Sequence, residues 1–419
     1  MKTVNLSLLF FLASAQVSFA CNDANGPTKT RIFPSNILNA QRFADTIKES
    51  FDGNAMGYAV VLRGPDGHLL ADVSFGWART DCDADGPRAF DSQTVTSWAS
   101  SSKVVAAAAI LNKIERFPDT RSLDERLIDL FPRRWPVGAC TTPGSCWSEA
   151  TIAHALSHRA GFSKSVNTAW EDRFASGTSE RPVGDRVYAN ESFAIFEYLG
   201  HFLAAEKMNG FENTNAGSDL ADYSEAVRTE VRTYWLPYLQ EQIFIPAGVA
   251  ATCGDVMFRN DNYSRAYRDI SDRSSGNLST AEDPRTCTAG GVVISVSDMS
   301  KFLHTLSQTD RIISHELFKS EMARDDDKRL GFDNYIDLCD RLDDLDITNI
   351  ACRGLWALRK NGGSRGVGSE ILIFSDGSVA AFSRNSGWLD GADVDQVDTI
   401  IEAWLRSKIQ GAGTLSIEQ

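Results

Sequence analysis

No Cys-x-x-Cys pair, no excess of basic residues and no apolar run long enough to cross a bilayer occur in this chain. Each absence excludes something. Without closely spaced thiol pairs, a thiolate zinc site is disfavoured. A formal net charge of −14 removes the basic face that nucleic acid or an anionic membrane would need. The most apolar stretch, Leu6 to Ala15, falls short of the roughly twenty residues that span a membrane. Histidine is also scarce, at six residues. His154 and His158 stand at the i, i+4 spacing of a zinc helix, but no Glu follows His154 and no third ligand is evident. Neither a metal nor a cofactor is expected. Internal repeats and low-complexity tracts are missing too.

What is present fits a soluble globular protein with a full core: 42% hydrophobic and 23% charged residues over 419 positions. Residues 1–20 read as a secretory signal peptide, with Lys2 for charge, the Leu6–Ala15 stretch, and Ser18-Phe19-Ala20 as a small-residue cleavage pattern. The expected location is therefore secreted or periplasmic. Cys21 directly after that site raises a lipid anchor, which the poor lipobox of Ser18 and Phe19 disfavours. Export agrees with eight cysteines, an even number that implies disulfides. Cys140 with Cys146 is the best local pair, because Pro143 and Gly144 turn the chain between them. Cys253 with Cys287 and Cys339 with Cys352 are weaker pairings. Asn262-Tyr-Ser and Asn277-Leu-Ser match the glycosylation pattern.

Ile37 to Phe51 reads as an amphipathic helix. Tyr58–Arg63 and Leu69–Phe75 form a predicted hairpin about Pro65-Asp66-Gly67, and Ser369–Phe374 with Val379–Ser383 another about Ser375-Asp376-Gly377. Val394 to Lys408 closes the chain as a helix. Strands near both ends and a long, mostly helical middle predict an α+β fold. An antiparallel sheet from the N- and C-terminal segments is flanked by helices, with a mostly helical lobe inserted. The expected domain runs over about 35–410, with the sheet part at about 37–118 and 346–410 and the lobe at about 119–345.

Chemistry concentrates in three short motifs. Ser100-Ser101-Ser102-Lys103 opens a run, Val104 to Leu111, that is apolar on every side. A serine at a helix start meets free N–H groups and the positive end of the dipole. Lys103, at i+3, opposes that dipole and has little water, and both effects lower its pKa from the ordinary value of about 10.4. Ser100 is the candidate nucleophile and Lys103 its base. Tyr188-Ala189-Asn190 supplies a phenol able to relay protons when cations stabilise its anion, and an amide able to hold a substrate. Lys360-Asn361-Gly362-Gly363 sets a cation and two glycines before the C-terminal hairpin, where substrate can approach the backbone.

In this order the three motifs resemble those of the serine β-lactamase and penicillin-binding-protein superfamily, in its class C β-lactamase-like branch. Phe90-Asp91-Ser92-Gln93-Thr94 resembles that family's approach strand. The segments Ser122–Pro132, Ile152–Gly161 and Ala289–Leu303 are similar to further family runs, so the likeness covers about residues 35–408. The resemblance implies an acyl-enzyme on Ser100, with Lys103 accepting its proton, Tyr188 relaying a proton to the leaving group and Lys360 holding Tyr188 electrostatically. It also implies an oxyanion hole from the N–H groups of Ser100 and Gly363, and substrate contacts from Asn190, Asn361 and Gly362. Asn361 stands where the family usually carries Thr or Ser to hold a substrate carboxylate, which puts efficient β-lactam turnover in doubt. The expected function is an exported serine hydrolase cleaving an amide or ester of a small or peptide-like molecule, as a peptidase, an esterase or a weak β-lactamase. The alternatives are an idle binding or assembly protein and an acyltransferase on the same fold.

Overall fold

A computed structural model describes residues 26–164, 169–199, 219–254, 261–272, 274–278, 288–345, 347, 350, 352–364, 366–389 and 394–408. The proposed signal peptide, Cys21 and the Cys253–Cys287 pairing lie outside the described residues. Hairpins supply the main sheet. β2 (Gly57–Arg63) and β3 (Leu69–Arg79) pair across a turn in which Gly67 takes a φ of +81°. β12 (Val367–Phe374) and β13 (Val379–Arg384) pair across Ser375-Asp376-Gly377, where Gly377 has a φ of +84°. Positive φ at both glycines is what these tight turns require.

The sheet is antiparallel, in the order β1-β3-β2-β13-β12-β11-β10, with β1 at Thr28–Ile32, β10 at Asn334–Asp337 and β11 at Trp356–Ser364. β4 (Arg88–Ala89) pairs off this path with β3. The register of β13 on β2 joins the two ends of the chain, Ala381 opposite Val61. An α+β fold with an antiparallel sheet is thus observed. A second sheet sets β9 (Val292–Ser295) between β5 (Val95–Ser97) and β6 (Ala251–Cys253), and β7 (Arg265–Ala266) pairs with β8 (Asn277–Leu278).

Both faces of the main sheet are covered, so its strands are apolar on both sides. Tyr58, Val60 and Leu62 of β2 pack on helix α1 (Ala40–Phe51) and on the C-terminal helix Gln396–Ser407. Ala59 and Val61 turn the other way, onto helix α2 (Ser102–Arg116). This alternation is the period of two that a strand imposes. Asn39 caps α1 by accepting from the Arg42 N–H at 3.1 Å. Asp395 does the same for Val397 and Asp398 at the last helix.

Three local expectations change. Residues 91–94 are a turn and not a strand: the Gln93 N–H donates to Asp91 Oδ1 at 2.9 Å and the Asp91 N–H to Thr94 Oγ1 at 3.0 Å. The strand that approaches the nucleophile is β5, three residues long. Ser100 lies on a single 3-10 turn, Ala99–Ser101, and the α-helix starts only at Ser102. Ala99, which opens that turn, has a φ of +43°, outside the right-handed helical region. Asn262 is fully engaged, accepting from Arg88 Nε and donating to the Gln93 carbonyl, both at 2.8 Å, so its amide is tied into the fold.

Cys140–Cys146 and Cys339–Cys352 are disulfide-bonded. No helix among the described residues is long and apolar enough to cross a membrane. Trp404 anchors the outer core, fully buried, stacked on Phe374 at 4.2 Å and donating its indole N–H to Ser378 Oγ at 2.8 Å. Replacing it with alanine should cost about 3–5 kcal/mol, measured by urea unfolding.

Candidate active site

α2 is fully buried from Ser102 to Leu111, and the small side chains of Ala106 to Ala109, which go right round one turn, let neighbours come close on every side. Lys103 therefore begins a helix with no water around it. Burial pushes its pKa well below the ordinary lysine value, and the nearby Lys360 ammonium pushes the same way. Its Nζ lies 3.2 Å from Ser100 Oγ, donates to Asn190 Oδ1 at 2.9 Å, and donates also to the Ala289 carbonyl. A neutral amine has two N–H groups, and these two oxygens take both. The lone pair is left for the Ser100 hydroxyl.

Burial raises the Tyr188 pKa and the Asp333 charge raises it further, while interaction with the Ser100 side chain lowers it. Tyr188 thus holds its proton more tightly than a free phenol, which suits a donor better than the stabilised phenolate expected from the cations around it. Three lysine amines are close: Lys360, Lys103 and Lys164 lie 4.8, 5.4 and 5.7 Å from the ring centroid. Beneath the ring, His158 packs at 4.4 Å and sits against the Ala189 backbone, and its burial holds it neutral.

Lys360 is completely buried on β11, and its Nζ contacts both carboxylate oxygens of Asp333, at 2.8 and 2.9 Å. Asp333 is held by its backbone. Its N–H donates to the Arg359 carbonyl at 2.9 Å, and its own carbonyl accepts from Arg186 and Arg329, both at 3.0 Å.

Gly362 explains how β11 meets the nucleophile turn. A Cβ there would stand 2.3 Å from the Trp98 carbonyl and 2.9 Å from the Ser101 nitrogen. The same seam is tied by Ser369 Oγ, which donates to the Trp98 carbonyl at 2.9 Å and bonds Ser101 Oγ at 3.0 Å. Strand alternation puts Lys360 and Gly362 on the face toward Ser100. Asn361 and Gly363 fall on the opposite face at an exposed end of the strand, with Asn361 opposite buried Glu370.

The structure thus gathers Ser100, Lys103, Tyr188, Asn190, Lys360 and Gly362, with Gly363 at the open rim and Asn361 turned aside. Sequence reasoning missed Asp333, Arg186 and the Ala289 carbonyl. Asp333 stands 27 residues before Lys360, whereas Arg186 is only two positions before Tyr188 and serves by gripping the Asp333 carbonyl. A backbone carbonyl leaves no mark in the residue pattern.

The beta-lactamase family profile matches residues 43–334. The chain belongs to the beta-lactamase family. Comparison with curated protein sequences finds no match. Solved structures share the fold at low identity. A class C beta-lactamase mutant aligns with a TM-score of 0.58 at 12% identity, over 88% of this chain and 99% of that one. SurE aligns with a TM-score of 0.54 at 14% identity, over 83% of this chain and 71% of its own. A structure of SurE with D-Leu gives 0.52 at 15% identity, over 82% and 70%. Within this family fold the Gly362 contact allows no side chain. Gly362→Ala should slow acylation of Ser100 by about 100-fold, through a shift of the nucleophile turn, as measured by the rate of fluorophosphonate labelling.

Proposed function

We propose that this member of the beta-lactamase family is an exported serine hydrolase that cleaves an amide or ester through an acyl-enzyme on Ser100. The observation that carries the reading is the desolvated Lys103 amine 3.2 Å from Ser100 Oγ, with its other hydrogen-bonding capacity already used. In the first step Ser100 Oγ bonds the substrate carbonyl carbon as its proton passes to Lys103. The negative charge that develops on the carbonyl oxygen is met by the N–H groups of Ser100 and Gly363, each such donor contributing about 2.7–4 kcal/mol. Tyr188 then gives its proton to the departing nitrogen or oxygen, the bond to that atom breaks, and Lys103 returns a proton to Tyr188. Water repeats the sequence to release the acyl group, losing its proton as Ser100 regains one. Asn190 positions both Lys103 and the substrate, Lys360 sits beside Tyr188, Gly362 keeps the strand close, and Asn361 borders the mouth.

The substrate class follows from charge. Lys360 is shared by both oxygens of Asp333, so it has less to offer a substrate carboxylate, and Asn361 lies on the far face of its strand. Neutral amides and esters fit this arrangement better than β-lactams. The presence of D-Leu in one SurE structure supports including D-amino-acid amides among them. Export is supported by the leader pattern at residues 1–20 and by two disulfides, bonds that persist in oxidising compartments.

A labelled fluorophosphonate should attach to the wild-type protein and not to Ser100→Ala; equal labelling of both contradicts the reading. Lys103→Ala should slow attachment by about 100-fold or more. The rate for wild type should fall as pH drops through the depressed Lys103 pKa, since the ammonium form cannot accept the serine proton. Turnover of p-nitrophenyl esters, nitrocefin and D-amino-acid p-nitroanilides then ranks the substrates.

A further inference from the structure

Asp333 belongs to none of the three motifs, yet it is the sole carboxylate bonded to Lys360 among the described residues. Its placement is tightly determined. Gly331, two positions earlier, has a φ of +80°, and a Cβ there would stand 2.9 Å from Ala107 Cβ on the nucleophile helix. The segment is thus wedged between α2 and β11. Asp333 pairs by its backbone N–H with Arg359, next to Lys360, and its carbonyl is gripped by two guanidinium groups.

We infer that Asp333 is a positioning residue for the Ser100 hydrolase centre, fixing Lys360 beneath the Tyr188 ring and holding the centre's working pH range upward. The inference rests on the hydrolase reading. An ammonium in a site with no water access needs a hydrogen-bonded counter-charge to stay in place and protonated. Two carboxylate contacts at 2.8 and 2.9 Å provide it.

The groups facing Lys360 are few. Tyr188 lies above it, and Lys103, on α2, shares that ring. Arg186 stands two residues before Tyr188, Lys164 lies 5.7 Å from the ring centroid, and neutral His158 packs on the ring at 4.4 Å. Glu370, behind the strand, is already held by Arg359 at 2.9 Å and by Gln396 at 3.1 Å. Arg186 repels a proton on Lys360, and Asp333 is the near negative charge on the Tyr188 side. Its charge favours the protonated forms of Lys360, Tyr188 and Lys103 alike. Removing it weakens all three, whichever of Lys360 or Tyr188 yields its proton first.

The test is the pH dependence of the fluorophosphonate acylation rate for wild type, Asp333→Asn and Asp333→Glu. Both limbs of the D333N profile should move to lower pH and the maximal rate fall about 100-fold, while D333E returns the profile toward that of wild type. A D333N rate that changes uniformly at every pH, or not at all, overturns the inference and leaves the hydrolase reading standing. A wild-type protein that never acylates overturns the hydrolase reading itself, and this one with it. Should D333N fail to fold, the double variant Lys360→Gln/Asp333→Asn decides. It leaves no lone buried charge, so it should fold and resist urea better than D333N; equal instability of the two overturns the pairing.

Discussion

Burial of one amine beside one hydroxyl is the constraint on which the rest of this structure depends. Lys103 is completely enclosed, and a charged lysine in such a place is costly unless something compensates it. Its neighbours are an amide oxygen, a backbone carbonyl and a serine, and none of them is an acid. The consequence is a pKa pushed well below the ordinary lysine value on an amine 3.2 Å from the nucleophile. Lys360 is equally buried and its pKa is lowered too, but the Asp333 carboxylate in contact with it opposes that shift. Two lysines in one cleft take opposite roles because only one has a carboxylate.

Several distant pieces of chain exist to maintain that contrast. The burial of α2 from its first residue keeps Lys103 out of solvent. The wedge at Gly331 brings Asp333 to β11, and the Gly362 seam brings β11 to the nucleophile turn. Ala99, held at a φ of +43°, stores local strain where it aims Ser100 out of the helix line. Trp98 locks that turn from behind by donating its indole N–H to the Ile294 carbonyl at 2.9 Å. The site is assembled where β11, the start of α2 and the segments carrying Tyr188 and Asp333 meet, so side chains far apart in sequence surround one hydroxyl.

Much of the fold was legible beforehand. Pro65-Asp66-Gly67 and Ser375-Asp376-Gly377 announce hairpins because their turns need particular backbone angles, and the closing helix follows from its apolar stripe. Ser100 and Lys103 were legible because a polar pair at the mouth of an apolar helix is chemically unusual. The short 3-10 turn was not, since nothing about alanine signals a positive φ. Residues 91–94 were misread as a strand although Asp91 and Thr94, three apart, are good turn formers that bond each other's backbone. Asp333 stayed hidden because its partner is 27 residues away, on another strand, and an Asp before Asn334 reads as an ordinary loop residue. The direction of the Tyr188 shift was misjudged because its burial, the largest cause, and the Asp333 charge leave no mark in the motif, while its lysines do.

The central claim is that Lys103 is the free base of this cleft. An NMR titration of 15N-lysine-labelled protein, with Lys103 assigned through Lys103→Arg, reads its protonation directly. The account predicts that Lys103 Nζ loses its proton well below the ordinary lysine range while exposed lysines still hold theirs. A Lys103 that titrates together with the surface lysines would contradict it.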